Sequence, residues 1–129
     1  MHTPILILAT TVVMLLTGVA AGRDYPVTID RVVDGDTLDV QVDLGLGVSR
    51  AERVRLLDVY AAEQNEPDGP AATGRLLILT ECAKGLTLRT DGDKRDKYGR
   101  LLGILLCGDR NINETLTRDR APQGKGLEK

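Results

Sequence analysis

Two aspartates flank Gly35 in a fragment that reads Val-Asp-Gly-Asp-Thr over residues 33–37. A carboxylate beside a glycine turn can present its oxygens without crowding, and hard divalent cations such as Ca²⁺ are bound by oxygen ligands. Asp-Gly-Asp is also an ordinary turn sequence. We therefore take Asp36 as the first candidate metal ligand, with Asp34 as a further candidate beside it.

Two arginines follow in contexts that suit phosphate binding. Arg55 stands among aliphatic residues in Val54–Leu57, where a guanidinium is costly to bury unless an anion meets it. Its planar fork matches phosphate oxygens, although an alternating strand would equally leave Arg55 facing solvent. Arg100 ends the fragment Asp-Lys-Tyr-Gly-Arg. The alternative for Arg100 is an ordinary charged residue that opens an edge strand.

Glu63 ends the fragment Ala-Ala-Glu, which lies between the two arginines in the sequence. Alone it would be an ordinary glutamate of a surface loop. A carboxylate is a weak base, so it needs a metal ion or nearby cations to make deprotonation of water feasible. In this order the fragments supply carboxylates for a metal ion, an acid that can activate water and two arginines for a phosphate. The combination indicates cleavage of a phosphodiester bond.

These fragments, in this order, resemble the thermonuclease (staphylococcal nuclease-like) family over roughly residues 25–116. The resemblance implies that Arg55 and Arg100 stabilise the charge that builds up on the phosphate oxygens. It implies that Glu63 is the general base that activates the attacking water. Arg55, Glu63 and Arg100 are therefore the expected catalytic residues.

The metal site that the resemblance implies contains one departure from the family pattern. Asp36 would bind Ca²⁺ directly, Ala61 would bind it through the backbone carbonyl, and Asp34 would lie close by. Where family members usually have a second aspartate ligand, this chain has Tyr60. A phenol is neutral at pH 7 and is a poor calcium ligand, so we expect weakened metal binding. Asp58, two residues upstream and on the same face of an alternating strand, is a candidate replacement.

Substrate binding requires a local concentration of positive charge. The 129 residues include 17 Lys and Arg against 19 Asp and Glu, which gives a net charge of −2, so the field of the whole molecule does not favour polyanions. Tyr98 resembles the family's tyrosine beside the nucleotide, where it can contact a phosphate or stack on a base. We assign substrate binding to Tyr98, Lys97 and Arg95, within a basic cluster completed by Arg89, Lys94 and Arg100.

The N-terminal segment differs from the rest of the chain. Residues 1–21 contain no Lys, Arg, Asp or Glu, and the apolar run ends in Val-Ala-Ala, the small residues that signal peptidase accepts. We predict that residues 1–22 are a signal peptide and that the protein is secreted. The alternative is a membrane anchor formed by residues 5–21, because the run approaches the length of a spanning helix.

Cys82 and Cys107 are the two cysteines of the chain, and both follow the predicted signal. In an oxidising compartment an even number of cysteines favours a disulfide. Two buried free thiols are an equally good explanation. The single histidine is His2, so the sequence does not indicate a zinc site.

The pattern of apolar residues predicts mostly strands. Alternation favours three strands between Tyr25 and Val59, and helical spacing favours a helix from Pro70 to about Ala83 that ends at Gly85. Two more strands are expected at Leu86–Thr90 and Leu101–Cys107, followed by a short helix over residues 111–116.

This order of elements favours a mainly β (α+β) fold, a five-stranded OB-type Greek-key barrel with one helix between strands 3 and 4 and a short C-terminal helix. The family resemblance, rather than the pattern itself, favours a closed barrel over an open α+β sheet. The expected domain spans residues 23–118, and residues 119–129 are predicted to be a polar, disordered tail.

Two functions are consistent with the sequence. The first is a secreted, Ca²⁺-dependent endonuclease that acts on DNA, RNA or both as a monomer, with no protein partner implied. The second is a non-catalytic OB-fold module that binds nucleic acid or nucleotide phosphates and has lost the metal site. Tyr60 favours the module, whereas the combination of Glu63 with two arginines favours the enzyme.

Overall fold

The structure of the chain is a computed structural model that describes residue 2 and residues 22–127, with side chains described up to residue 119. The signal peptide or membrane anchor predicted for residues 1–22 therefore lies outside the described residues, apart from His2 and Gly22. Within the described residues, no helix combines the length and apolar character needed to cross a bilayer.

A closed barrel of five main strands forms the domain, as predicted. The described chain contains these elements in order: β1 (Arg23–Val32), β2 (Thr37–Gly45), β3 (Val48–Leu56), α1 (Gly69–Leu79), β4 (Leu86–Arg95), β5 (Leu101–Cys107), β6 (Arg110–Asn111) and α2 (Ile112–Leu127). Antiparallel pairing follows the order β3-β2-β1-β4-β5. A parallel pairing of Val54–Leu56 with Leu101–Gly103 closes the barrel. The two-residue strand β6 is a small addition at the edge of β5.

Aliphatic side chains fill the barrel, because the chain contains no Phe or Trp. Inward-facing residues alternate along each strand, as a half-buried strand requires. Helix α1 contributes Leu76 to this core, and α2 contributes Ile112. The largest fully buried aliphatic side chains are Leu38, Val40, Val54, Leu56, Leu76, Leu88, Leu105 and Ile112.

Two elements end earlier than the sequence predicted. Strand β3 ends at Leu56 and not at Val59, because Asp58 has a φ of 59°, a left-handed conformation that interrupts an extended strand. Helix α1 ends at Leu79 with Thr80 as its C-cap, so the predicted continuation to Ala83 is wrong. Gly85, expected to stop the helix, instead occupies the turn before β4.

Helix α2 is longer than the short helix that the sequence predicted. Its first turn is capped by Asn111, whose side-chain oxygen accepts a hydrogen bond from the Glu114 N–H at 3.1 Å. The backbone of α2 continues to Leu127 and so runs through most of the segment predicted to be a disordered tail. The side chains of that segment lie almost entirely outside the described residues.

Asn113 fastens α2 to the strands that carry the candidate site. Its buried amide accepts a hydrogen bond from the Leu105 N–H at 3.0 Å. The same amide donates to the carbonyl oxygens of Leu57, at 3.0 Å, and Gly103, at 3.1 Å. One side chain thus connects the helix to β5 and to the residue that follows β3.

Cys82 and Cys107 form a disulfide, with their Cα atoms 5.8 Å apart. Cys82 lies between α1 and β4, whereas Cys107 is the last residue of β5. Of the two alternatives that the sequence left open, the structure contains the disulfide.

Candidate active site

Three parts of the chain meet at one end of the barrel: the start of β2, the end of β3 and the β4–β5 connection. Thr37 pairs with Arg55 across β2 and β3, and Arg55 lies beside Leu102 of β5. The Leu56 N–H donates to the Asp36 carbonyl at 2.8 Å. These backbone bonds fix the Asp-Gly-Asp turn beside Arg55, although the two fragments are about twenty residues apart in sequence.

A chain of short contacts links the two predicted phosphate-binding arginines. A terminal nitrogen of Arg55 lies 3.4 Å from Asp36 Oδ2, and the Thr37 hydroxyl donates to Asp36 Oδ1 at 2.9 Å. Arg100 in turn donates to the Thr37 hydroxyl at 3.4 Å. The structure therefore places both guanidinium groups and the first candidate metal ligand in one network.

Both arginines line the same surface pocket, which has a volume of about 280 Å³. Its walls come from the end of β3 and the segment that follows it, and from the β4–β5 connection and the start of β5. Asp36 and Thr37 contact the two arginines but are not lining residues of the pocket. Besides Arg55 and Arg100, the lining residues are Leu56, Leu57, Asp58, Tyr60, Asp96, Lys97, Tyr98 and Leu102.

Asp36 is the buried carboxylate of the network, with 6% of the residue exposed. Burial raises its pKa, and the neighbouring carboxyl group of Asp34 raises it further. The hydroxyl of Thr37 and the charge of Arg55 act in the opposite direction but do not outweigh these causes. Two adjacent carboxyl groups, one of them buried, are an arrangement in which a bound cation would relieve the cost of ionisation.

Gly35 allows the Asp-Gly-Asp turn to approach the loop that follows β3. A Cβ atom at this position would lie 2.5 Å from the Cβ of Ala61 and 2.7 Å from the Cβ of Ala72 on α1. The Ala61 N–H donates to Asp36 Oδ2 at 3.3 Å. The structure thus brings Ala61 to Asp36 through its N–H group, and metal binding by its carbonyl stays a prediction.

Sequence reasoning did not single out two residues that position Arg100. Asp96 accepts a hydrogen bond from the Arg100 side chain at 2.6 Å and from the backbone N–H groups of Tyr98 and Arg100 at 2.9 Å. Burial acts to raise the pKa of Asp96, but these hydrogen bonds outweigh it and the pKa is lowered. The second residue is Thr37, which is buried and whose hydroxyl group lies between Asp36 and Arg100. An aspartate three residues before a glycine is a turn signal that could have indicated Asp96.

Two predicted residues are less closely joined to the network. Glu63 is exposed in the loop between β3 and α1 and is not a lining residue of the pocket. Its catalytic role therefore stays a prediction. Asp58 lines the pocket together with Tyr60, but it lies in a turn and not on a strand. The alternation argument for Asp58 as a replacement ligand is therefore wrong.

Arg95 does not line the pocket that Arg55, Arg100, Lys97 and Tyr98 share. Its guanidinium donates two hydrogen bonds to Glu52, at 2.8 and 2.9 Å, and it also pairs with Asp93 at 2.7 Å. These carboxylates engage the Arg95 guanidinium in the free protein, and its contact with substrate stays a prediction. Arg89 of the predicted basic cluster is similarly paired with Asp24 at 2.8 Å.

Two exposed tyrosines line the pocket, and each lies against a cation. The centre of the Tyr98 ring is 5.3 Å from the Arg100 guanidinium carbon and 5.0 Å from the Lys97 ammonium nitrogen. The Tyr60 ring lies 5.8 Å from the guanidinium carbon of Arg55. These distances fall within the range of cation–π contacts.

The donor groups fit a hard divalent cation that is held by few protein oxygens. Among the described residues, no group of three or more His, Cys, Asp or Glu side chains is arranged to hold a metal ion. Asp34 and Asp36 nevertheless form a carboxylate pair, and magnesium and calcium sites complete their coordination with backbone carbonyls and water. Tyr60 adds no charge to this set.

Several curated proteins are similar to this chain. Thermonuclease of Staphylococcus intermedius is 31% identical over 109 residues, which is 81% of this chain and 61% of that protein. Endonuclease YncB of Bacillus subtilis (strain 168) is 36% identical over 100 residues, with 72% of this chain and 44% of that protein covered. Micrococcal nuclease of Shigella flexneri is 34% identical over 93 residues, or 72% of this chain and 49% of that protein.

The chain spans about half the length of these relatives. No protein-family model matches it. The names of these relatives agree with the family that the order of the sequence fragments indicated. On this similarity and on the closed five-stranded barrel, the matched region of this chain belongs to the thermonuclease-like family.

Proposed function

We propose that this chain is an exported, metal-dependent nuclease that hydrolyses phosphodiester bonds in DNA, RNA or both. The single observation that supports this function most is the network that links Arg55 to Arg100 through Asp36 and Thr37. Both guanidinium groups of this network line one pocket. Two guanidinium groups beside a buried carboxylate suit an anionic substrate and a cation in the same site.

The arginines would bind the non-bridging oxygens of the scissile phosphate. Arg55 and Arg100 are positioned before substrate arrives, by Asp36 and Asp96 respectively, so they need little rearrangement to meet the charge of the transition state. The Thr37 hydroxyl contacts both Arg100 and Asp36, the partner of Arg55, and so fixes the positions of the two guanidinium groups relative to each other.

Glu63 would accept a proton from the attacking water. It lies two residues after Ala61, whose backbone contacts Asp36, so a short segment of chain connects it to the site. Proton transfer requires the carboxylate within hydrogen-bond reach of the water in the substrate complex. A divalent cation, when bound, would stabilise the phosphate charge and help to ionise the water.

The residues that would hold this cation are Asp36, Asp34 and the Ala61 backbone. We propose Ca²⁺ as the cation, bound more weakly than in a site with a third carboxylate because Tyr60 stands in the place of an aspartate. Export is supported by the apolar N-terminal sequence and by the Cys82–Cys107 disulfide, which is typical of an oxidising compartment.

A second function, binding without cleavage, is favoured by the same substitution at Tyr60 and by the small number of carboxylates. An OB barrel with two phosphate-binding arginines could bind nucleic acid without a metal ion.

Cleavage assays with calcium and with chelator separate the two functions. The substrates would be plasmid DNA and a labelled single-stranded oligonucleotide. We expect chelator-sensitive cleavage that is abolished by Glu63→Gln and reduced by about two orders of magnitude or more by Arg55→Gln. The matched control is Arg53→Gln, because Arg53 is on the same strand but pairs with Asp39 and does not line the pocket. Oligonucleotide binding without cleavage at millimolar calcium would establish the binding module instead.

A further inference from the structure

Tyr60 is one of the few aromatic residues that this chain contains. There are three Tyr and no Phe or Trp. Tyr25 packs against the core, whereas Tyr60 and Tyr98 are 70% and 71% exposed. Both exposed rings line the pocket that holds Arg55 and Arg100. A protein that leaves two of its three aromatic rings in water at one pocket has surfaces there on which a planar ligand can stack.

The cations beside these rings indicate the chemical class of the planar ligand. Arg55 lies 5.8 Å from the centre of the Tyr60 ring while it also contacts Asp36. A phosphate bound by Arg55 would therefore bring the rest of its nucleotide close to the Tyr60 ring. Bases stack on exposed aromatic side chains in single-stranded nucleic acid complexes, whichever base is present.

We infer that Tyr60 is a substrate-contacting residue whose ring stacks on the unpaired base of the nucleotide held at Arg55. The inference rests on the proposed binding of nucleic acid and deepens it. It gives a role to the residue that replaces a carboxylate: the chain loses one metal-binding group and gains a stacking surface. A base within a duplex is already stacked on its neighbours, so the ligand class is single-stranded nucleic acid.

Equilibrium binding measured in the presence of chelator tests this without cleavage. The probes are a short fluorescein-labelled oligothymidylate and an oligomer of abasic nucleotides of equal length, followed by fluorescence anisotropy. We expect Tyr60→Leu to weaken binding of oligothymidylate by about fivefold or more. Tyr60→Phe keeps the ring and should stay within about twofold of the wild-type affinity. Both variants should bind the abasic oligomer as the wild type does.

Leu46→Ala is the matched control, because Leu46 is fully exposed in the β2–β3 turn and lies outside the pocket lining. Three results would overturn the inference. The first is unchanged oligothymidylate binding by Tyr60→Leu. The second is an equal loss on both probes, which would mean that the ring only positions Arg55. The third is an equal loss in Tyr60→Phe and Tyr60→Leu, which would assign the effect to the hydroxyl group.

Failure of the inference and failure of the proposed nuclease are distinguishable. Base-dependent binding that is lost in Tyr60→Leu, in a protein that does not cleave with calcium, would support stacking by Tyr60 and contradict the nuclease. A wild-type protein that cleaves with calcium, while Tyr60→Leu binds both probes normally, would support the nuclease and contradict stacking.

Discussion

In the protein without a bound cation, the environment of Asp36 disfavours the ionised carboxylate that its role requires. Its carboxylate is buried beside Asp34, which raises its pKa, yet it must be ionised to pair with Arg55 or to bind a cation. Arg55 and the Thr37 hydroxyl offset part of this cost. A third carboxylate would increase the repulsion in the free state and the attraction for a cation, and Tyr60 does neither.

Tyr60→Asp should therefore tighten Ca²⁺ binding by roughly tenfold, because affinity at oxygen sites depends on the number of charged ligands. Isothermal titration of the chelator-treated variant with calcium measures the change. Tyr60→Asn is the matched control, since asparagine has the same size as aspartate and carries no charge. Equal calcium affinities of the aspartate and asparagine variants would show that position 60 does not face the ion.

Single residues differed in how well the sequence predicted them. The short-range pattern of aliphatic neighbours indicated Arg55, and the structure places its side chain against Asp36 with 17% exposed. Arg95 was predicted on different grounds, as part of a local basic cluster, and its pairing with Glu52 could not be predicted because Glu52 is 43 residues away and nothing local indicates the contact. Thr37 was missed for a similar reason, since its hydroxyl acquires a role only when Arg100 lies across the barrel end.

At the scale of elements, the site depends on the close approach of the Asp-Gly-Asp turn to α1 and to the loop after β3. Gly35 makes this approach feasible, because the space beside it is filled by the methyl groups of Ala61 and Ala72. The turn therefore cannot carry a larger residue unless the loop or the helix moves. Movement of either would displace Asp36.

Gly35→Ala should lower both stability and cleavage. Overpacking at a crowded site costs about 1–3 kcal/mol, and the displaced turn would carry Asp36 away from Arg55. Gly74→Ala is the matched control, because a Cβ at Gly74 on α1 meets nothing within 4 Å. We expect Gly74→Ala to raise stability by roughly 0.5–1 kcal/mol through helix propensity. Urea unfolding and initial cleavage rates measure both effects, and unchanged values in Gly35→Ala would contradict the crowding.

The sequence predicted the elements better than their ends. Periodicity identified the strands and α1, because each buries one face in the barrel. It did not predict that Asp58 would adopt a left-handed conformation and end β3 early, since aspartate takes both conformations. Closure of the barrel by the parallel pairing of β3 with β5 is a contact between distant segments, and only the family resemblance anticipated it.

The disulfide connects the segment after α1 to the end of β5 across 25 residues of sequence. Closing a loop of that size in the unfolded chain should contribute about 3 kcal/mol to stability. We expect the Cys82→Ser, Cys107→Ser double variant to unfold at a lower temperature by about 10 °C or more. Thermal unfolding by circular dichroism measures this, and reductant should lower the wild-type midpoint alone. An equal response of both proteins to reductant would contradict a contribution from the disulfide.

At the scale of the whole molecule, most of the arginines described here balance nearby acids. Arg89, Arg53 and Arg95 are paired with Asp24, Asp39 and Glu52 respectively, which leaves little free positive charge on those faces. The mildly acidic net charge has the same consequence. Arg55 and Arg100 are also paired, with Asp36 and Asp96, but both line one pocket together with Lys97, so a phosphate bound there would meet three cations.

These ion pairs also predict how stability responds to acid, and Glu52 is the clearest case. Its side chain is 8% exposed and is held by Arg95 and Arg50, at 2.8 Å from each. The hydrogen bonds from Arg95 are the main cause of a pKa below the usual value of 4.5. A carboxylate with a lowered folded-state pKa contributes stability above about pH 4.5, and that contribution disappears as the pH falls through the lowered pKa.

Glu52→Gln should therefore destabilise the protein at pH 7 by about 2 kcal/mol, because it removes charge-assisted hydrogen bonds from Arg95. The difference between variant and wild type should shrink as the pH falls below about 4.5, since the wild-type carboxylate then becomes protonated too. Urea unfolding across this pH range measures the difference. Glu66→Gln is the matched control, because Glu66 is exposed in the loop before α1. A difference that stays constant down to the lowest pH would assign the effect of Glu52 to packing and not to its charge.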